Sequence, residues 1–248
     1  MEKQMIGIGV VGGGGRMGHA IAAELEAHEA ARIAGAAGRS DDLSSLAAVA
    51  DVLIDFSTPA ALPATLAAAE AARRPLVIGT TGLDTAAHRA IDQAAEDIPV
   101  LQAANMSLGV TLLGHLVREA ASRLGPDWDI EIAEMHHRHK ADAPSGTALL
   151  LGQAAAEGRG VDLAVHSDRA RDGITGSRTS GHIGFASLRG GSVAGDHLVI
   201  LAGEGERLEL GHRAESRAIF ARGAIRAALW LNDRKPGRYT MADILDLA

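Results

Sequence analysis

The sequence predicts an α/β chain in which a parallel-sheet domain carries an inserted α+β domain. Three observations predict it. From Ile6 to Gln102 short apolar strands alternate with Ala-rich helical stretches, an order that implies right-handed crossovers and a parallel sheet. A run of glycines separates the first strand from the first helix. Beyond Ser107 the texture changes to strands of alternating polarity, a histidine-rich segment and a closing amphipathic helix.

Ile6-Gly7-Ile8-Gly9-Val10-Val11 reads as a short buried strand, followed by Gly12-Gly13-Gly14-Gly15-Arg16-Met17-Gly18 and a helix over His19 to Leu25. The spacing fits G-x-G-x-x-G at Gly13, Gly15 and Gly18, and equally G-x-x-G-x-x-G at Gly12, Gly15 and Gly18. In either register a Cβ is missing where backbone would meet a pyrophosphate and where helix packs on strand, as in a Rossmann-like dinucleotide site. A plain structural glycine turn is the alternative.

Further strands are predicted at Ala31 to Ala37, Asp51 to Phe56, Leu76 to Ile78 and Val100 to Gln102, with helices over Pro59 to Arg73 and Asp84 to Ala95. Ligands of such sheets bind at the carboxyl ends of the strands. The residues there are small or hydrogen-bonding: Gly12 to Gly18, Phe56-Ser57-Thr58, Gly79-Thr80-Thr81-Gly82 and Ala103-Ala104-Asn105-Met106-Ser107.

A helix over about Leu108 to Leu124 opens the second part, followed by a half-exposed strand at Asp129 to Glu134. The polar stretch Asp168 to Ser180 reads as a mobile loop. Strands at Gly184 to Leu188, His197 to Leu201 and Arg207 to Leu210 are expected to complete an antiparallel set, and a helix over about Glu215 to Leu231 to return to the first domain. The boundaries expected are 1–106 with 216–248, and 107–215.

Composition narrows the function. At 248 residues and 47% apolar content the chain can bury one or two cores, and with 2% aromatics these are built from Ala, Val, Leu and Ile. It has no cysteine, hence no disulfide or thiolate chemistry, which is compatible with a reducing cytoplasm. Net charge is −7 and basic residues are scattered, so a nucleic-acid partner is disfavoured. No apolar run approaches the roughly 20 residues that span a bilayer, and Met1-Glu2-Lys3-Gln4-Met5 leads into the first strand without a leader pattern. A small-molecule enzyme is the default.

The densest chemistry lies in His136-His137-Arg138-His139-Lys140-Ala141-Asp142-Ala143-Pro144-Ser145-Gly146-Thr147. Lys140 stands out because the only other lysines are Lys3 and Lys235, and lysine, unlike arginine, can lose a proton. Next comes the helix-favouring run Ala148 to Ala156, which Ser145 or Thr147 can cap. Its first-turn N–H groups face its own N-terminus and suit a carboxylate or phosphate, with Gly146 allowing close approach. Proton donors beside an anion site are the functional reading. The alternatives are an ordinary capped helix after a basic loop, or a metal held by His137 and His139 with Glu134 or Asp142. Arg138 and Lys140 oppose a cation, and no metal is expected.

With Gly-x-x-Gly-Arg-Met-Gly, Gly79-Thr80-Thr81-Gly82, Ala104-Asn105 and the histidine segment assembled, the chain resembles the 4-hydroxy-tetrahydrodipicolinate (dihydrodipicolinate) reductases. The likeness extends through Arg189-Gly190-Gly191-x-Val193-x-Gly195-x-His197 and Gly211-His212 to Ala224. It implies NAD(P)H-dependent reduction of a cyclic dicarboxylate on the diaminopimelate route to lysine. It also implies a cytoplasmic homotetramer associating through the sheets of its substrate domains. By position it implies His136 as general acid/base and Lys140 as second proton donor, with His137, Gly146 and Thr147 holding the substrate carboxylates. Cofactor contacts are implied at Gly12, Gly13, Gly14, Gly15, Arg16, Met17, Arg39, Gly79, Thr80, Thr81, Ala103, Ala104, Asn105 and Met106.

Met106 stands where some relatives have an aromatic residue, and Gly38 where many have an acidic one. With that acidic position empty and Arg39 and Ser40 available to a 2′-phosphate, NADPH is expected to be preferred and NADH to remain usable, unless Asp41 or Asp42 turns inward. The rival functions are a related imine- or amino-acid-type reductase and a non-catalytic NADP-binding redox sensor. The sensor would not need His136 and Lys140 beside an anion-binding helix.

Overall fold

A computed structural model describes residues 5–247; Ala248 and Met1 to Gln4, on which the expected absence of a leader pattern was read, lie outside the described residues. In chain order the first elements are β1 (Ile6–Val11), α1 (Arg16–Leu25), β2 (Ala31–Ala37), α2 (Leu43–Val49), β3 (Val52–Asp55), α3 (Leu62–Ala72), β4 (Leu76–Ile78), α4 (Thr85–Asp97) and β5 (Pro99–Gln102). There follow α5 (Leu108–Leu124), β6 (Asp129–His136), α6 (Gly146–Arg159), β7 (Ser167–Asp168), β8 (Ile183–Arg189), β9 (Gly195–Gly203), β10 (Glu206–Ala214), α7 (Ala218–Leu231) and β11 (Gly237–Tyr239). Two compact units result, Met1–Leu108 with Arg217–Ala248, and Gly109–Ser216.

The first unit is a six-stranded sheet in the order β11-β5-β4-β3-β1-β2, with every pairing parallel. Because successive strand residues face opposite sides, each strand feeds two cores. Ile8, Val10, Val52, Ile54 and Val77 pack with Ile21 of α1 and Ala224, Ala228 and Leu231 of α7. Val11, Leu53, Leu76, Ile78 and Val100 pack with Leu46 of α2, Leu66 of α3 and Ile91 of α4. Two of these elements escaped the sequence reading. The short helix α2 is announced only by its N-cap Asp42, whose carboxylate accepts from Ser44 N and Ser45 N. Strand β11 has three residues and takes its conformation from pairing with β5.

The second unit has a five-stranded sheet in the order β10-β9-β6-β8-β7. The expected antiparallel set is in fact mixed: β6 runs antiparallel to β9 but parallel to β8. The reason is α6, a crossover helix that brings the chain back to the end of the sheet where β6 began. One face of central β6 is buried in strict alternation. Ile130 and Ile132 pack there with Ala148, Leu151 and Ala155 of α6, and Phe185 and Val199 close the core. The segment between Asp168 and Ile183 has no regular structure. Arg178 ties it to β6, donating to Asp129 Oδ1 and Glu131 Oε1 at 2.8 Å and to the Ile130 carbonyl at 2.9 Å. Arg171 adds a two-pronged bond to Glu131 at 2.8 and 2.9 Å.

Candidate active site

In the first unit the chain turns through Gly12 to Gly15 between β1 and α1. Gly12 has φ +85°, and a Cβ there would overlap the Phe56 carbonyl; one at Gly18 would overlap the carbonyls of Gly12 and Gly13. Glycine at these points lets α1 sit directly on the strand ends. The α1 N-cap, Gly15, supplies no side-chain cap and no acidic residue stands in the first turn. A Cβ built at Gly14 would meet nothing within 4 Å. An open, uncapped helix start fits the pyrophosphate of a dinucleotide, which is negative and accepts N–H bonds. Arg16 is exposed at that start, and Met17 packs partly against the core.

The neighbouring strand ends are held by Asp55, a fully buried carboxylate. Its Oδ1 accepts from Ser57 N and Thr80 Oγ1 at 2.8 Å and from Ser57 Oγ at 2.7 Å. Thr80 is buried with Gly79, whereas Thr81 is exposed. Ala103 N donates to the Ile78 carbonyl, Ala104 is exposed, and Asn105 Oδ1 accepts from Ser107 N at 2.8 Å. Met106 is 1% exposed and packs in the core beside α7, so its side chain faces protein and not solvent. Arg39 is exposed after β2. The acidic residues beside it are already engaged: Asp41 accepts from Gly38 N at 2.7 Å, and Asp42 caps α2.

In the second unit, β6 carries its buried alternation past the aliphatic residues onto Glu134 and His136. The register places Glu134 opposite His197 of β9 and His136 opposite Arg189 of β8. His136 Nδ1 lies 2.5 Å from Glu134 Oε2. The Arg189 guanidinium grips the same carboxylate, Nη1 to Oε2 and Nη2 to Oε1, both at 2.9 Å. Burial pushes the Glu134 carboxyl up, but the donors from Arg189, His136 and Ser187 outweigh it and hold it below its ordinary value.

Ser145 joins this cluster to α6. Its N–H donates to Glu134 Oε1 at 3.3 Å, and its Oγ caps the helix by accepting from Ala148 N at 3.1 Å. The same Oγ lies 3.1 Å from His197 Nε2. The His197 and His136 rings meet edge to face with centroids 5.1 Å apart. Burial first, then the neighbouring His136 charge, pushes His197 down to about 4, so it is neutral at neutral pH.

His137 and His139 lie in the turn after β6, their rings 6.4 Å apart, and Lys140 Nζ pairs with Asp142 Oδ2 at 2.9 Å. The Lys140 hydrogen bond draws the Asp142 carboxyl below its ordinary value. Gly146 and Thr147 open α6, and a Cβ at Gly146 would meet nothing within 4 Å. Glu134 and Asp142, the carboxylates a metal at this turn would need, are thus taken by cations. Among the described residues no group of three or more His, Asp or Glu is arranged to hold a metal ion.

The predicted residues therefore form two sets, Gly12 to Met106 in the first unit and His136 to Thr147 in the second. Sequence reasoning assigned no role to Arg189 or His197 and weighed Glu134 only as a metal ligand. A usable signal was the alternation of Asp129 to Glu134, which sets Glu134 on the same side of the strand as Ile130 and Ile132.

A doubly wound sheet with a bare-glycine helix start, together with a buried carboxylate–histidine pair in a second unit, defines an oxidoreductase dependent on a pyridine nucleotide. Residues 6–106 match the family model described as dihydrodipicolinate reductase, N-terminus, and residues 109–245 that described as its C-terminus. The 4-hydroxy-tetrahydrodipicolinate reductase of Zymomonas mobilis is 57% identical, over 99% of each chain. The enzyme of the same name from Brucella abortus is 51% identical over 98% of this chain and 99% of its own. The dipicolinate-bound dihydrodipicolinate reductase of Paenisporosarcina sp. TG-14 shares the fold at a TM-score of 0.81 and 23% identity, over 97% of this chain and 99% of its own. The chain belongs to the dihydrodipicolinate reductase family.

Proposed function

We propose that this chain reduces 4-hydroxy-tetrahydrodipicolinate to tetrahydrodipicolinate on the diaminopimelate route to lysine, with NADPH preferred over NADH. The observation that carries the reading is the Glu134–His136 pair at the start of α6, with Lys140 in the intervening turn. Replacing the 4-hydroxyl by hydrogen consumes one hydride and one proton and releases one water. Gly12 to Met17, Arg39, Gly79 to Thr81 and Ala103 to Met106 would hold the dinucleotide, whose nicotinamide would supply the hydride.

The protein's task is charge. Hydride arrival loads electron density onto the ring, and departure of the hydroxyl as water needs a proton; His136 and Lys140 are the two groups able to give one. His137 and the Gly146 and Thr147 amides take the carboxylates. The unit Gly109–Ser216 is assigned to substrate binding and to assembly into a homotetramer, for which a sedimentation mass of four chains is expected. No helix among the described residues is long and apolar enough to cross a membrane. A chain without cysteine needs no oxidising compartment, and we assign it to the cytoplasm.

Inhibition tests the substrate class. Pyridine-2,6-dicarboxylate should compete with substrate, and pyridine-2-carboxylate should bind at least tenfold more weakly, the loss of one charge-assisted anchor. Equal inhibition by both would mean that a single carboxylate is recognised.

A further inference from the structure

We propose that Glu134 is a positioning residue that holds the Nδ1 proton of His136 and so leaves Nε2 as the ring atom that delivers a proton to substrate. This rests on the reading of His136 as a proton donor. Glu134 is 2% exposed, and Arg189 takes both of its oxygens in a two-pronged bond. Arginine does not lose its proton, and a buried carboxylate so paired is an anion with only lone pairs to offer. The hydrogen in the 2.5 Å contact therefore belongs to His136 Nδ1. Nε2 is left for exchange, and Gly195 keeps its surroundings open: a Cβ built there would stand 3.0 Å from that atom.

The remaining charged or titratable groups around the ring fit this assignment. Arg189 on β8 is spent on Glu134, and His197 on β9 touches the ring by its edge. Burial above all, then the His136 charge, keeps His197 from charging, and His212 on β10 and Lys140 in the next turn add to it. His136 thus meets one anion and no second imidazolium. In the step itself the Nε2–H bond of the imidazolium breaks and the proton passes to the substrate atom that has gained or is releasing an electron pair. The Nδ1–H bond to Glu134 stays intact, Glu134 keeps its charge, and Nε2 regains a proton from solvent. Through the Ser145 amide the same carboxylate also fixes the start of α6, so donor and anion site share one reference point.

The test is a pair of measurements on Glu134→Gln. In that variant Arg189 claims the single amide oxygen and the NH₂ group faces His136, which then accepts at Nδ1 and carries its proton on Nε2. Two-bond ¹H–¹⁵N correlation spectra of histidine-labelled protein should show the Nδ1–H form of His136 in wild type and the Nε2–H form in the variant. The kcat should fall about 10²- to 10⁴-fold with KM and the NADPH Kd within threefold. Glu134→Asp, which keeps the charge, should restore the Nδ1–H form and part of the rate. Should Glu134→Gln fail to fold around an unpaired Arg189, Glu134→Gln with Arg189→Gln is read in the same spectra. An unchanged tautomer, or a kcat within threefold of wild type, would overturn the assignment. If His136→Gln kept full kcat, the proton-donor reading would fall instead, while the spectra would still decide what Glu134 does to the ring.

Discussion

His136 and Lys140 differ from Arg138 between them in that each can give up a proton. Separate His136→Gln and Lys140→Ala substitutions should each lower kcat by roughly 10²-fold or more while NADPH still binds. A variant with normal kcat and a raised KM would mark that residue as an anchor. The capacity to give up a proton can be read from residue type alone. The partners of His136 cannot, because Arg189 reaches Glu134 from 55 residues away and His197 reaches Ser145 from 52, distances that only strand register closes. His197 also makes stability depend on pH. Its folded value of about 4 lies below the ordinary histidine value, so between about pH 6.5 and 4 the unfolded chain binds a proton that the folded chain refuses. Stability should be full above that window and fall on acidification by on the order of 3 kcal/mol. Urea melts at pH 7.5 and 4.5 should show a smaller loss for His197→Gln than for wild type; equal losses would contradict a buried neutral ring.

At the scale of elements, the strands of the first unit were legible because each is a short apolar run closed by glycine or a small polar residue, and β1, β2 and β4 have the bounds the sequence suggested. Seven-residue α2 and three-residue β11 were not, since neither is long enough to show a period. The parallel pairing of β6 with β8 was also hidden: local polarity marks a strand but says nothing about the direction of its partner. The proposed cofactor choice falls to the loop from β2 to α2. With Asp41 bound to Gly38 N and Asp42 capping α2, Arg39 is the exposed charge left for a 2′-phosphate. Arg39→Ala should therefore lower kcat/KM for NADPH about tenfold and leave that for NADH within twofold, the signature of one lost charge-assisted contact. Equal losses with both cofactors would remove this loop from the choice.

For the whole molecule, the two units carry different features: bare glycines and an uncapped helix start in one, a buried carboxylate–histidine pair beside a capped helix in the other. The α/β architecture and the histidine segment could be read from the chain because both rest on local patterns. The Glu134–Arg189 clamp could not, because it exists only once the sheet is assembled. For the proposed reaction one assay decides: NADPH oxidation followed by absorbance, with substrate freshly made by condensing pyruvate with aspartate semialdehyde. Oxidation that appears only when the condensation product is present, and that His136→Gln slows by roughly 10²-fold or more, is the predicted result; NADPH left unconsumed by folded protein in the presence of that product would contradict it.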